Sequence, residues 1–127
     1  MTLTRETVQV AINTRTKGRG GRRKWPPLYR PTRAVCIGPV AIHRPYVSGR
    51  GFARYGWMLS AKASGVGIGS NGAFWQAVHN ARQLAAIPED QWPRYGEDGT
   101  PIRITRDNPV ILLALTLINN GSMELPV

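Results

Sequence analysis

The chain has 127 residues, a formal net charge of +10 and 42% hydrophobic residues, which suits one small globular domain. Its single cysteine, Cys36, excludes an intrachain disulfide and a cysteine-based metal site, and its apolar neighbours predict a small buried side chain. The apolar run 110–118 is too short for a spanning helix of about 20 residues, and no export signal is recognisable. We therefore expect no membrane contact and a cytoplasmic or intravirion location.

Charge is distributed unevenly along the chain. Eleven Lys and Arg residues fall between Arg15 and Arg54, whereas no Asp or Glu occurs between Glu6 and Glu89. Residues 67–127 have the opposite balance, with six acids and four bases. Positive charge of that density repels itself unless it is solvated or lies against a polyanion. The first half of the chain therefore indicates a polyanionic partner.

The first elements in chain order are strands. Residues 5–13 alternate polar and β-branched side chains, which predicts a half-buried strand. Residues 34–42 predict a second strand, broken or bulged at Gly38-Pro39. Residues 52–61 alternate again and predict a third strand, with Tyr55 and Trp57 on the core side.

Helical signals dominate the second half. A glycine-rich loop, 65–72, leads into a helix predicted over about 73–87, with Ser70 or Asn71 as its cap. Residues 91–105 predict a loose hairpin turning at an Asp-Gly pair. Residues 110–119 predict a second helix, because an Asn-Pro pair immediately before them is a helix start signal. A strand pair that turns at Asn120-Gly121 is the alternative for this last segment.

Together these elements predict a single α+β domain over residues 1–127. We expect a small antiparallel sheet of about three to five strands with one or two helices. The compact body covers residues 34–127, and residues 5–13 add a strand to it. The glycine and proline residues of 14–33 disfavour a helix or an interior strand. This segment is therefore predicted to be an extended basic arm or hairpin loop.

The arm is the strongest functional signal. Clustered Arg and Lys bind nucleic acid by releasing condensed counterions, and interleaved Trp25 and Tyr29 offer faces on which unpaired bases stack. This pattern favours RNA or single-stranded DNA. A solvated tail, a tail packed against protein, and a contact with anionic lipid are the alternatives. The candidate contacts in the arm are Arg15, Lys17, Arg19, Arg22, Arg23, Lys24, Trp25, Tyr29, Arg30 and Arg33.

Two further segments are candidates for the same partner. Arg50, Phe52 and Arg54 would extend the binding surface if Phe52 and Arg54 share an exposed strand face. In the glycine-rich loop, Gly67, Gly69 and Ser70 precede a predicted helix, where backbone N–H groups suit a phosphate. A flexible connection between a strand and a helix is the alternative for that loop.

Catalysis has little support in the sequence. The only histidines, His43 and His79, fall on different elements without acidic neighbours, and His79 is expected to be half-buried. The acids lie in predicted turns, where solvated carboxylates are ordinary. We therefore expect no catalytic residue, no cofactor and no metal ion, and a protein that is not an enzyme.

Two functions follow from these signals. The first is a nucleic-acid-binding protein that depends on charge and stacking and has low sequence specificity. The second is a structural or interaction subunit of a large assembly such as a virion or ribonucleoprotein, or an inhibitor of a nucleic-acid-processing enzyme. Residues 110–118 are apolar on nearly every side, so we expect them to be covered by the core, by a second copy or by a larger assembly.

Overall fold

The structure, a computed structural model, describes residues 2–12, 28–47 and 49–126. It contains two helices, α1 (Phe74–Ala85) and α2 (Pro109–Asn119), within these ranges. The strands are β1 (Leu3–Ala11), β2 (Tyr29–Ile37), β3 (Val40–His43), β4 (Tyr46–Val47), β5 (Gly51–Phe52), β6 (Trp57–Ala61), β7 (Gly67–Asn71), β8 (Arg94–Tyr95) and β9 (Pro101–Ile102).

Five of these strands form one antiparallel sheet in the order β1-β2-β3-β6-β7. Each strand pairs with the next one along the chain, apart from the small hairpin β4–β5, which is inserted between β3 and β6. The hairpin β8–β9 lies between the helices in sequence. The predicted α+β fold, with a small antiparallel sheet and two helices, is confirmed. Of the basic arm predicted over 14–33, residues 14–27 lie outside the described ranges and are not tested, whereas residues 29–33 belong to β2.

The main core lies between the sheet and α1. Ile37, Val40, Ile42 and Leu59 point to the same side of the sheet and are fully buried. They pack against the face of α1 that carries mostly small side chains, where alanines allow the helix backbone to approach the sheet closely. That face comprises Ala77, Ala81, Leu84 and Ala85. Burial of these side chains is the main stabilising contribution to the domain.

The opposite side of the sheet is curved and carries a second apolar cluster. In a flat sheet β1 and β6 would be about 14 Å apart, since two strands separate them. Instead the amide of Ala11, the last residue of β1, donates a 3.1 Å hydrogen bond to the carbonyl of Gly65, just after β6. The sheet therefore curls, and its concave side encloses the second cluster. Its buried members are Val8, Val10, Ala34, Cys36 and Ala41.

The strand boundaries differ from the predictions in three places. The first strand is Leu3–Ala11 rather than 5–13. The predicted strand 34–42 falls on β2, which already begins at Tyr29, and on β3, and the predicted break at Gly38-Pro39 is confirmed as a turn between them. In the predicted strand 52–61, Phe52 belongs to β5 and the longer strand begins only at Trp57, after Gly56, whose positive φ of 79° interrupts extended backbone. Buried Cys36 agrees with the prediction.

The predicted glycine-rich loop is also wrong in its structure, since Gly67–Asn71 is strand β7. Gly69 lies directly against the side chain of Met123, and a Cβ at this position would overlap it. The predicted cap of α1 is wrong as well: the capping position is Ala73, which makes no side-chain bond. Asn71 is engaged elsewhere, because its side-chain amide donates to the carbonyl of Ser122 at 2.8 Å.

The predictions for α2 are confirmed. Asn108 Oδ1 accepts hydrogen bonds from the amides of Val110 and Ile111 at 2.9 and 3.3 Å, and Pro109 occupies the first helical position. The strand alternative is therefore excluded for residues 109–119. The hairpin prediction for residues 91–105 is also confirmed by the pairing of β8 and β9.

Candidate nucleic-acid interface

The predicted site residues fall into two groups. Seven of them lie outside the described residues, namely Arg15, Lys17, Arg19, Arg22, Arg23, Lys24 and Trp25. The structure describes the other six candidates from the basic segments, which are Tyr29, Arg30, Arg33, Arg50, Phe52 and Arg54.

Tyr29, Arg30 and Arg33 belong to strand β2, not to an arm, because residues 29–33 pair along β1. All three are exposed. Alternation places Tyr29 and Arg33 on one face and Arg30 on the other. The register sets Arg33 opposite Thr7, so the exposed Arg5 lies diagonally beside Arg33 on the same face. The sequence prediction missed Arg5, because only the strand register shows that Arg5 and Arg33 are neighbours.

The charge of Glu6, the only acid before Glu89 in the sequence, is balanced by a neighbouring base. Glu6 lies on the other face of β1 from Arg5 and forms an ion pair with Lys62, with Nζ 2.8 Å from Oε1. Hydrogen bonds from Lys62 and then from Thr4 hold the pKa of Glu6 below its usual value. Within the described residues, neither Arg5 nor Arg33 pairs with a carboxylate. The exposed arginines therefore keep their full charge toward solvent.

The predicted pairing of Phe52 with Arg54 on an exposed face is wrong. Phe52 is only partly exposed and packs against the second apolar cluster, and its ring meets the edge of Tyr46 with centroids 5.2 Å apart. Arg54 and Arg50 are exposed, Arg50 in the turn of the β4–β5 hairpin. Phe52 therefore supports the hairpin and offers no open face for stacking.

A different aromatic group lies at the start of β6. Trp57 packs on Phe74 of α1 with ring centroids 4.9 Å apart, and the guanidinium of Arg44 lies 3.7 Å from the centroid of the Trp57 ring. Arg44 also donates to the carbonyl of Gly56 at 3.1 Å. Tyr55 was predicted to be a core residue and is exposed instead, whereas Trp57 is half-buried against the core.

Gly67, Gly69 and Ser70 do not form a loop that could enclose a phosphate. They are residues of β7, whose one edge pairs with β6. On the other edge the amide of Ser70 donates to the carbonyl of Glu124 at 2.9 Å, and the Ser70 hydroxyl donates to the carbonyl of Leu125. The donors of Ser70 are thus used within the protein.

The one histidine–serine pair is buried. His43 and Ser60 are 3% and 2% exposed, with the Ser60 hydroxyl 2.8 Å from Nε2 of His43. Nδ1 donates to the carbonyl of Arg44 at 2.7 Å, so Nε2 accepts from Ser60. Burial lowers the pKa of His43, partly opposed by that backbone bond. A substrate cannot reach this pair, and its role is to satisfy buried polar groups.

His79 was predicted to be half-buried and is exposed, because it lies on the side of α1 opposite its buried alanines. Burial raises the pKa of the Cys36 thiol, which disfavours the reactive thiolate. In residues 2–12, 28–47 and 49–126, no three His, Cys, Asp or Glu residues are grouped so that they could hold a metal ion. Neither helix described for this chain has the length and apolar character needed to cross a membrane.

The fold and surface thus define a small α+β protein with a curled antiparallel sheet, a basic first half and an exposed aromatic group at the start of β6. Compared with protein-family models, with curated proteins and with solved structures, the chain matches none.

Proposed function

We propose that this protein binds nucleic acid, mainly through charge and with low sequence specificity, and that RNA or single-stranded DNA is the preferred partner. One observation carries the proposal. Between Glu6 and Glu89 the chain has no carboxylate, and the described part of this range carries exposed arginines on the folded body, among them Arg30, Arg33 and Arg54. Such a surface is stable against a polyanion, because phosphate binding releases condensed counterions.

The folded surface supports the proposal independently of the basic segment 13–27. Arg5 and Arg33 are diagonal neighbours on one face of the β1–β2 hairpin, with Tyr29 further along that face. Two guanidinium groups at this separation would repel each other unless an anion lies between or above them. A phosphate backbone supplies that anion, and Tyr29, 43% exposed, would contact the sugar or base beside it.

The test is the salt dependence of binding to a fluorescent oligonucleotide. Each lost phosphate contact reduces the slope of log K against log salt by about 0.7 for single strands and 0.9 for duplexes. Replacing Arg22, Arg23 and Lys24 with Ala should flatten the slope by roughly 2–3 units. The pair Arg5→Ala and Arg33→Ala should flatten it by about 1.4 to 1.8 units.

The matched control removes two exposed arginines from the acid-rich half. Arg94→Ala with Arg106→Ala changes the net charge as much as the Arg5 and Arg33 pair does, but should leave the slope nearly unchanged. Equal slopes for all variants would overturn the proposed surface. Failure to bind any polynucleotide at low ionic strength would overturn the function itself.

A second candidate function is an interaction subunit that contacts another copy of the chain through α2. Leu112 and Leu115 of α2 are 49% and 48% exposed, although Val110, Ala114 and Leu117 of the same helix are buried. Beside them, an apolar groove of about 320 Å³ runs between α2, the end of β6 and the β8–β9 hairpin. Its lining includes Val66, Ile68, Trp92, Tyr95, Leu115 and Ile118.

A further inference from the structure

The two most exposed large hydrophobic side chains in the described part of the chain each lie within two residues, in sequence, of one ring of the contact between Trp57 and Phe74. Tyr55 is 86% exposed and Trp75 is 72% exposed. Tyr55 is two residues from Trp57, and Trp75 directly follows Phe74, the residue on which Trp57 packs. Gly56, the neighbour of Tyr55, lies close to the end of β7, since a Cβ on Gly56 would lie 3.9 Å from the carbonyl oxygen of Asn71. Exposing two large rings together is costly in water, and such a patch marks a binding surface.

The base of this patch is rigid. Trp57 is held between the guanidinium of Arg44, 3.7 Å from its centroid, and the ring of Phe74 at 4.9 Å. Strand pairing opposite Asn71 fixes the backbone of Trp57, and Trp75 lies in the first turn of α1. Trp75 is therefore attached to a helix and Tyr55 lies two residues before a paired strand, so both rings need little further ordering when a ligand binds.

The charge around the rings is positive. Arg54 is exposed next to Tyr55 and has no carboxylate partner among the described residues. The first turn of α1 holds no acid, and Glu89 and Asp90 follow the other end of this helix. Since α1 has 12 residues, its ends are about 18 Å apart. The exposed acid Glu124 pairs through its backbone with Ser70 of β7, so the positive charge is on the Arg54 side of the rings. An apolar protein partner would gain nothing from this charge, whereas a phosphate-linked chain of bases would.

We infer that Tyr55 and Trp75 form a stacking site for unpaired bases of a single-stranded nucleic acid, with Arg54 on the adjoining phosphate. The inference rests on the proposed function and specifies its substrate. Every base has a face that can stack on an aromatic ring, so the site tolerates any sequence. Bases inside a duplex are already stacked on their neighbours and cannot reach such rings. The site therefore distinguishes single strands from duplexes.

The experiment compares two probes of one sequence, a single-stranded oligonucleotide of about twelve nucleotides and its duplex, by fluorescence anisotropy. The full chain is used throughout. Tyr55→Ala and Trp75→Ala should each weaken single-strand binding about five- to hundredfold, because each removes a stacking face. Both variants should bind the duplex as the unchanged chain does. Both side chains are exposed, so thermal unfolding should be unaffected.

Conservative variants separate stacking from other roles. Tyr55→Phe keeps the ring and should retain single-strand binding, and Trp75→Phe should retain most of it. Ile104→Ala is the control for loss of an exposed apolar side chain in the acid-rich half, where Ile104 is 39% exposed. It should not change the affinity for either probe.

Three outcomes would overturn the inference. If Tyr55→Ala and Trp75→Ala leave single-strand affinity unchanged while the arginine variants still flatten the salt slope, the rings are not the stacking site but the proposed function stands. If the two substitutions weaken binding of both probes equally, the patch does not distinguish single strands from duplexes. If neither probe binds the unchanged chain, the proposed function has failed and the inference fails with it.

Discussion

His43 links β3 to β6 by polar contacts inside an otherwise apolar region. Its imidazole accepts a hydrogen bond from Ser60, the diagonal neighbour on β6, and donates one to the backbone carbonyl of Arg44. Neutral imidazole satisfies both contacts, and the charged form would have to be buried without a counterion. Burial therefore lowers the pKa of His43 below the ordinary histidine value.

Stability should consequently depend on pH through this residue. The unfolded chain takes up a proton at His43 as the pH falls through about 6.5, before the folded protein does, so protonation favours unfolding. The free energy of unfolding should be largest above pH 6.5 and fall below it by at most about 1.4 kcal/mol per pH unit, until the lower folded pKa is reached. Urea unfolding at pH 7.5 and pH 5 measures this loss.

The exposed His79 provides the control, since His79→Ala should leave the pH dependence in place. The carboxyl groups affect the free energy of unfolding in a lower pH range. Hydrogen bonds lower the pKa values of Glu6, Asp98 and Asp107, so their stabilisation is present above their ordinary values near 4 and is lost only in stronger acid. A free energy of unfolding that is constant between pH 7.5 and pH 5 would contradict the role given to His43.

At the level of the elements, the curl of the sheet depends on the close approach of β1 to the turn after β6. A Cβ on Gly65 would lie 2.5 Å from the carbonyl oxygen of Gln9 and 3.1 Å from the amide of Ala11, and Gly65 has a φ of 74°. Both the contact and the φ value exclude other residues. The second apolar cluster is enclosed only because this approach is possible.

We therefore expect Gly65→Ala to destabilise the protein by more than about 1–3 kcal/mol, because it adds a backbone clash to the strain of a positive φ. Gly72→Ala is the matched control, since a Cβ there meets nothing within 4 Å. It should change the free energy of unfolding by less than about 0.5 kcal/mol. Equal effects of the two substitutions in chemical denaturation would show that β1 does not close over the sheet.

In the whole molecule, the basic residues and the exposed leucines of α2 lie in different halves of the chain. Glu6 of β1 is the one acid on the strands from β1 to β6, which carry several bases, while the other six of the seven acids follow α1 in the sequence. The exposed leucines of α2 belong to the acid-rich half. This separation allows a polyanion and a second copy of the chain to bind at once, without competing for one surface.

The oligomeric state tests the second of these contacts. After nuclease treatment, light scattering should give a mass larger than one chain, and Leu112→Gln with Leu115→Gln should reduce it to a single chain by placing polar groups in the contact. Leu125→Gln, at a residue that is 67% exposed outside α2, should not. A single-chain mass for the unchanged protein would remove α2 as a contact between copies.

The sequence by itself determined the class of fold and several local features. Alternation predicted strands in the first half, and the Asn108-Pro109 pair predicted the start of α2, because the cap and the fixed proline φ act over three or four neighbouring residues. The run without carboxylates indicated the kind of partner, since net charge does not depend on how the chain folds.

Only the tertiary structure decided which of these residues share a surface. Alternation predicted that Tyr55 is a core residue, but glycines with positive φ change the direction of the backbone near it and its side chain is exposed. Gly67–Asn71 is a strand because Met123 and residues 124–125, distant in sequence, cover it. Arg5 and Arg33 become neighbours only through strand register, as do His43 and Ser60 through the pairing of β3 with β6. Such contacts depend on long-range pairing and packing, which local sequence patterns do not encode.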